Sequence, residues 1–231
     1  ATNESKTLIT GENVINLYYT KKDTKVTVHY YEEGTTNKVS EDVKIPGKVF
    51  DKYETESATD IPSKYELVAE PENKNGTMTE DEITVIYYYR KKATQVIVHY
   101  YEENTTKKLS EDVTINGRVD DKYTTVSADD IPIKYELVAE PVNKSGDMTE
   151  ATIEVIYYYI YRTKVTAEYI DKNTGEKLTE DVVQAGHEGD KYETERKNFE
   201  DYKLVEVPAN ADGNMIKDEI TVTYYYVHVS G

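Results

Sequence analysis

The 231-residue chain has no cysteine and no tryptophan, only 2 phenylalanines, and few positive charges for its size. Without cysteine there is neither a disulfide framework nor a thiolate metal site, and thiol usage gives no reading of the redox compartment. A membrane-spanning helix needs roughly 20 consecutive apolar residues, and no segment approaches that length. No charged-apolar-small leader opens the chain, so the targeting signals of a secreted parent are expected outside this segment. With 28 Lys and Arg against 45 Asp and Glu, the formal net charge is -17. That excludes nucleic acid, whose phosphates need a basic stripe, and it excludes anionic membrane surfaces for the same reason. Hydrophobic content of 37% is low for a deep core and points to small, shallow, strand-rich units.

What the chain has instead is 23 tyrosines, and they fall in a repeating pattern. Ile83-Thr-Val-Ile-Tyr-Tyr-Tyr89 recurs as Ile153-Glu-Val-Ile-Tyr-Tyr-Tyr159 and as Ile220-Thr-Val-Thr-Tyr-Tyr-Tyr226. β-branched residues closing on aromatics mark a strand. Val26-Thr-Val-His-Tyr-Tyr31, Asp51-Lys-Tyr53 and Tyr65-Glu-Leu-Val68 all return 70 residues later. A third, more divergent copy carries Val165-Thr-Ala-Glu-Tyr-Ile170, Asp190-Lys-Tyr192 and Tyr202-Lys-Leu-Val205, and its linker is one residue shorter. Three repeats are therefore expected at residues 23–92, 93–162 and 163–231. Residues 1–22 read as the C-terminal remnant of a preceding repeat, because Glu12 through Lys22 aligns with Glu82 through Lys92 at the same offset. An orphan strand at Val14–Tyr19 would fray or pair with a neighbour's edge.

Within a repeat, Val26, Val28 and Tyr30 alternate with Thr27, His29 and Tyr31, giving the first strand an apolar and a mixed face. Residues 32–37 form a turn. Val39–Val49 is a second strand with a bend or bulge at Pro46-Gly47, and the two strands form a hairpin. Asp51–Ile61 is expected to hold a short helix. Tyr65–Ala69 is a third strand, Asn73–Thr77 a turn, and residues 83–89 the final strand. The order strand, strand, short helix, strand, strand suits a mainly β, or α+β, β-grasp-like (ubiquitin-like) module with its first and last strands parallel at mid-sheet. A plain antiparallel sandwich without helix is the alternative. The linkers at 90–94 and 160–163 hold neither Gly nor Pro, so the modules are expected to stack as an elongated rod.

Catalysis finds no support. The 4 histidines stand at 29, 99, 187 and 228, and Glu168 replaces the His29/His99 position in the third copy. No serine elbow, phosphate loop or metalloprotease helix occurs, so the chain is read as no enzyme. No cofactor is expected. Calcium needs roughly six to eight oxygen ligands, and pairs such as Glu41 and Asp42 could supply some, but nothing matches the EF-hand spacing and a solvated acidic surface accounts for them. A lysine-to-asparagine crosslink is disfavoured, because Gln95 replaces Lys25 and Lys164 and no final strand carries Asn. The tyrosines remain. Tyr87, Tyr89 and their counterparts point inward, whereas Tyr88, Tyr158 and Tyr225 point outward. Tyr88 shares its face with His29 and Tyr31, and Tyr158 with His99 and Tyr101, a set that either holds sugar rings or packs beneath the helix or against a neighbour.

The series Val-Thr-Val-x-Tyr-Tyr, Gly-x-x-x-Asp-Lys-Tyr (residues 47–53, 117–123 and 186–192), Tyr-x-Leu-Val and Ile-Thr-Val-x-Tyr-Tyr-Tyr resembles the MucBP (mucin-binding protein) repeat of Gram-positive surface proteins. The resemblance covers nearly everything from residue 24 to 227. It implies a β-grasp-like module in an extracellular, cell-wall-anchored adhesin or internalin-like protein exposed to host mucus. The implied partner is host mucin or another glycoprotein or glycan; separately, no membrane insertion of this fragment and a monomeric state are expected. A non-binding stalk that projects a distal domain is the competing reading.

Overall fold

The computed structural model describes residues 7–229. The chain divides into two compact units, residues 1–93 and 94–231, the first holding one module and the second two. Module 1 comprises β1 (Asp23–Glu32), β2 (Lys38–Lys48), β3 (Lys52–Glu54), β4 (Tyr65–Leu67), β5 (Asn75–Thr77) and β6 (Ile83–Lys91). β1 and β2 form the expected hairpin, β6 lies parallel to β1, and β4 closes the far edge, giving the order β2-β1-β6-β4. The parallel register runs from Val26 opposite Ile83 to Glu32 opposite Tyr89, so the two most apolar strands are neighbours at mid-sheet, as a β-grasp requires.

Modules 2 and 3 repeat this plan. β7 (Ala93–Glu102), β8 (Val113–Arg118), β9 (Lys122–Thr124), β10 (Tyr135–Leu137) and β11 (Ser145–Asp147) precede a 19-residue strand, β12 (Ile153–Asp171). β13 (Val182–His187), β14 (Lys191–Glu193), β15 (Tyr202–Leu204), β16 (Asp212–Asn214) and β17 (Ile220–His228) complete the chain. β12 ends module 2, pairing with β7 and β10, and begins module 3, pairing with β13 and β17. Tyr159 and Val165, both buried, are separated by an even number of steps, which keeps them on one face of a continuous strand. The corresponding Tyr89 and Val96 are separated by an odd number, and there the strand is interrupted at Lys92. The single-residue deletion in the shorter linker is thus what allows two modules to share a strand.

The inner face of each sheet carries the core. In module 2 it is Val96, Val98, Tyr100, Tyr123, Met148, Val155, Tyr157 and Tyr159. Tyr87, Tyr157 and Tyr224 are fully buried, while Tyr88 and Tyr158 are each 39% exposed and Tyr225 is 44% exposed. The inward and outward assignment of the tyrosines follows the strand period of two, as expected.

The helix expected over Asp51–Ile61 does not form, and there is no helix among the described residues. Lys52–Glu54 instead pairs antiparallel with Asn75–Thr77, so the turn expected over 73–77 is confined to residues 72–74 and the rest is a short strand. Beyond it the backbone is irregular and bonded to core tyrosine hydroxyls. Tyr30 Oη donates to the Glu56 carbonyl at 3.0 Å. The Ala58 N–H donates to Tyr89 Oη at 3.0 Å, and Tyr87 Oη meets Thr55 Oγ1 at 2.9 Å. The same contacts recur in module 2 through Tyr100, Tyr157 and Tyr159, and in module 3 through Tyr169, Tyr224 and Tyr226. Phenylalanine could not supply them, which accounts for the bias toward tyrosine. Burial pushes the Tyr30, Tyr89, Tyr100 and Tyr159 hydroxyls above their ordinary pKa, so they remain protonated.

One further expectation is corrected. Pairing continues through Pro46 and Gly47, opposite Lys25 and Thr24, and the irregularities lie farther along, between Val28 and Tyr31. Pro46 is accommodated because β2 is an edge strand. Gly47, Gly117 and Gly186 are instead needed for close approach: a Cβ at these positions would fall 2.5, 2.6 and 2.7 Å from the sulfurs of Met78, Met148 and Met215. Residues 13–19 form no strand. Ile15, Leu17 and Tyr19, equivalent to buried Val85, Tyr87 and Tyr89, are 69%, 64% and 80% exposed, with no described strand beside them to complete a ladder.

The division of faces predicts unequal effects of neighbouring substitutions. Tyr157→Ala is expected to cost about 3–5 kcal/mol of unfolding free energy, as for other buried aromatics. Tyr158→Ala should cost less than about 1 kcal/mol. Denaturant titration of the two variants measures this, and equal losses would contradict the assignment.

Candidate functional site

The inner face of the sheet is covered by the segment carrying β3 and β5, with a hollow of about 720 Å³ left in module 1 between β2 and residues 54–60; the exposed tyrosines of the three runs lie on the opposite face. In module 1 the alternation of β1 and β6 puts His29, Tyr31, Ile86 and Tyr88 there, and the register sets Tyr31 directly opposite Tyr88. In module 2, Tyr101 stands opposite Tyr158 and His99 opposite Ile156. In module 3 the corresponding positions are Ile170 opposite Tyr225 and Glu168 opposite Thr223. The fold therefore brings His29, Tyr31 and Tyr88 together, and likewise His99, Tyr101 and Tyr158, while Tyr225 has an aliphatic neighbour.

The histidines do not lie flat as a platform. His29 stacks on Tyr31 with ring centroids 5.1 Å apart and planes 10° from parallel, and His99 on Tyr101 at 5.4 Å and 10°. Residues two apart on a strand that stack in this way turn their faces toward each other, and the two imidazole side chains are only 22% and 13% exposed. Each imidazole is held by an acid of the neighbouring strand segment: His29 Nδ1 lies 2.9 Å from Asp42, and His99 Nδ1 lies 3.1 Å from Asp112. Asp42 sits below the ordinary carboxylate range because of His29 first and Lys38 second; for Asp112 the order is Lys108, then His99. In module 3, Glu168 stands in place of the imidazole, and Lys177, the counterpart of Lys38 and Lys108, bridges Asp181 at 2.7 Å and Glu168 at 3.7 Å.

The exposed ring of each set is the middle tyrosine of the run. Beside Tyr158 lies an open depression of about 670 Å³ whose other walls are Glu103, Asn104, Thr105 and Thr106, the turn between β7 and β8. Asn104 holds a left-handed φ of 57°, which asparagine tolerates better than most residues. An aromatic face beside amide and hydroxyl groups has the chemistry to hold a sugar ring. Sequence reading identified this turn by composition without linking it to Tyr158. The signal was available, because a hairpin turn following Tyr101 must end beside the residue paired with Tyr101.

A second cluster, at the junction of modules 2 and 3, was missed. Lys217 of module 3 contacts Glu102 of module 2, which Lys107 also meets at 3.1 Å, and lies 3.7 Å from Glu188. Its ammonium stands 5.7 Å from the Tyr161 ring centre. Tyr161 packs edge-on against Tyr135, and Glu136 of module 2 meets His187 of module 3. Aligned on Met78, Met148 and Met215, Lys217 occupies the place of Glu80 and Glu150. That reversal of charge was the available clue. Among the described residues there is no group of His, Cys, Asp and Glu arranged to hold a metal.

Comparison with known proteins places this geometry in context. The MucBP domain matches residues 25–90, 95–160 and 164–227. Internalin J of Listeria monocytogenes serotype 4b (strain F2365) is 34% identical over 235 residues, an alignment taking in 97% of this chain and 25% of that protein. Internalin J of Listeria monocytogenes serovar 1/2a (strain ATCC BAA-679 / EGD-e) is 36% identical over 124 residues, covering 52% of this chain and 14% of that protein. The chain thus spans a quarter or less of these relatives. Among solved structures, the type 2 repeat of the mucus binding protein MUB from Lactobacillus reuteri is similar with a TM-score of 0.23 and 17% identity, over 58% of this chain and 99% of that one.

The junction gives a pH-dependent prediction. Burial of Glu102 opposes its ionisation, but Lys217 and Lys107 outweigh it and hold the carboxyl below its ordinary range, while Glu102 raises Lys217. A carboxyl depressed by folding stabilises fully above its unfolded pKa, about 4.3, and that contribution disappears as pH falls through the folded value. Lys217→Ala is expected to cost about 1–2 kcal/mol at pH 7 and distinctly less at pH 3, read from denaturant titrations at both pH values. Equal losses would refute the assignment.

Proposed function

Because the chain belongs to the MucBP domain family, we propose that it is the repeat region of a Gram-positive surface adhesin and binds mucin or another host glycoprotein through its sugars. The observation that carries this reading is the exposure of Tyr88, Tyr158 and Tyr225 on the open face of each sheet. Each is carried on a paired strand, so the backbone beneath the ring is already ordered before a ligand arrives. Tyr31 and Tyr101 stand opposite the first two of these residues in the strand register, with His29 and His99 stacked on them. The reading places the protein outside the cell, attached to the wall by parts beyond this segment, acting as a monomer with no enzymatic step, no cofactor and no nucleic-acid partner. Tandem copies would raise avidity toward a repetitive glycoprotein without requiring a strong single site.

A second reading, a stalk that projects another domain, is favoured by one observation, the sharing of β12 between modules 2 and 3. A strand common to two modules leaves no linker between them to flex. Immobilised mucin separates the two readings. The wild-type chain is expected to bind, and the combined Tyr88→Ala, Tyr158→Ala and Tyr225→Ala variant is expected to lose at least about tenfold in affinity, with its melting temperature little changed. Absence of wild-type binding at high protein concentration would favour the stalk.

A further inference from the structure

The turn between β7 and β8 separates two depressions in the second unit. One is the hollow beside Tyr158, about 670 Å³. The other, about 340 Å³, has Glu103, Asn104 and Thr105 along one wall, Lys217 and Glu188 of module 3 along the other, and the β12 segment at Tyr161 in its lining. Glu103, Asn104 and Thr105 border both, so a chain-like ligand seated on Tyr158 and crossing the turn enters the second depression. There it meets side chains of a different module.

The charges around this path decide what can follow it. Glu102, Glu103 and Glu188 face two ammonium groups, Lys217, which Glu102 and Glu188 already engage, and Lys107, which Glu102 and the Tyr135 hydroxyl engage. An anionic group brought there meets carboxylates without a free counter-charge, in a chain of net charge -17. A polyol meets the reverse situation, because its hydroxyls donate to carboxylate and amide oxygens while its ring faces rest on tyrosine. Resting on the glycan-binding reading above, we infer that modules 2 and 3 together form one extended site for an uncharged linear oligosaccharide. One sugar ring lies on Tyr158, and the following units cross Asn104 and Thr105 to reach Glu188 and Lys217.

The test titrates the full chain, by calorimetry and amide NMR, with three probes: a neutral disaccharide of galactose and N-acetylglucosamine, its linear tetrasaccharide, and that tetrasaccharide capped with sialic acid. The uncapped tetrasaccharide should bind about tenfold more tightly than the disaccharide, and the capped form about fivefold or more below the uncapped one. Glu188→Ala should remove the advantage of the tetrasaccharide and leave the disaccharide unchanged. Amide shifts at Glu188 and Lys217 should respond to the tetrasaccharide alone. If the disaccharide binds in a Tyr158-dependent way but the longer chain gains nothing, or if the capped form binds equally well, the inference fails while the glycan-binding reading stands. If no saccharide binds, both fail.

Discussion

Each module depends on a bond between a buried ring and a backbone without regular structure. A sheet of four strands leaves one apolar face to cover, and the covering segment here is too short and too rich in threonine to form a helix that satisfies its own amides. Core tyrosines supply what is missing. Tyr30, Tyr87 and Tyr89 fill the interior with their rings and reach its upper limit with their hydroxyls, which bond the Glu56 carbonyl, the Thr55 hydroxyl and the Ala58 N–H of the covering segment. The same side chains thus supply the hydrophobic contact and fix the path of the cover. Threefold recurrence of this arrangement, despite divergence elsewhere in module 3, shows how little else is required to define the fold.

This economy also governs what could be read from the residues. The strand period of two made the pairing of β1 with β6 and the inward or outward fate of each tyrosine legible, because both follow from alternation alone. The covering segment was not legible. Its Asp51-Lys-Tyr-Glu-Thr-Glu sequence has a weak local preference, and the outcome is set by Asn75–Thr77 and by hydroxyls more than twenty residues distant in sequence. The fusion of modules 2 and 3 was half legible: the missing linker residue could be counted, whereas its effect on strand parity needed the positions of Tyr159 and Val165 in the cores. Lys217 was overlooked because a single lysine in an acidic chain looks like ordinary surface until its equivalents, Glu80 and Glu150, are set beside it.

The two faces of the sheet divide the work between them. Substitution on the inner face is constrained by packing and by the hydroxyl bonds, which is why modules 1 and 2 are nearly superimposable in sequence there. The outer face is free to vary, and it has varied: a His–Tyr stack in the first two modules gives way to Glu168 and Ile170 in the third. Modules built on one core therefore need not be equivalent on their exposed surfaces. A contact surface assembled from two of them can have properties that neither has alone.

The parallel neighbours at mid-sheet have a mechanical meaning. The chain enters module 2 at the start of β7 and leaves it through β12, and these strands are adjacent and run the same way. Tension applied to the two ends of the module pulls them in opposite directions along their own axes. The hydrogen bonds between them are then sheared together, whereas an edge hairpin would open one bond at a time. Because β12 is also paired in parallel with β17, the same strand carries the load into module 3 without an intervening hinge, so a pull on the ends meets bonds loaded in shear, and resistance to it is governed by the barrier to unfolding more than by equilibrium stability.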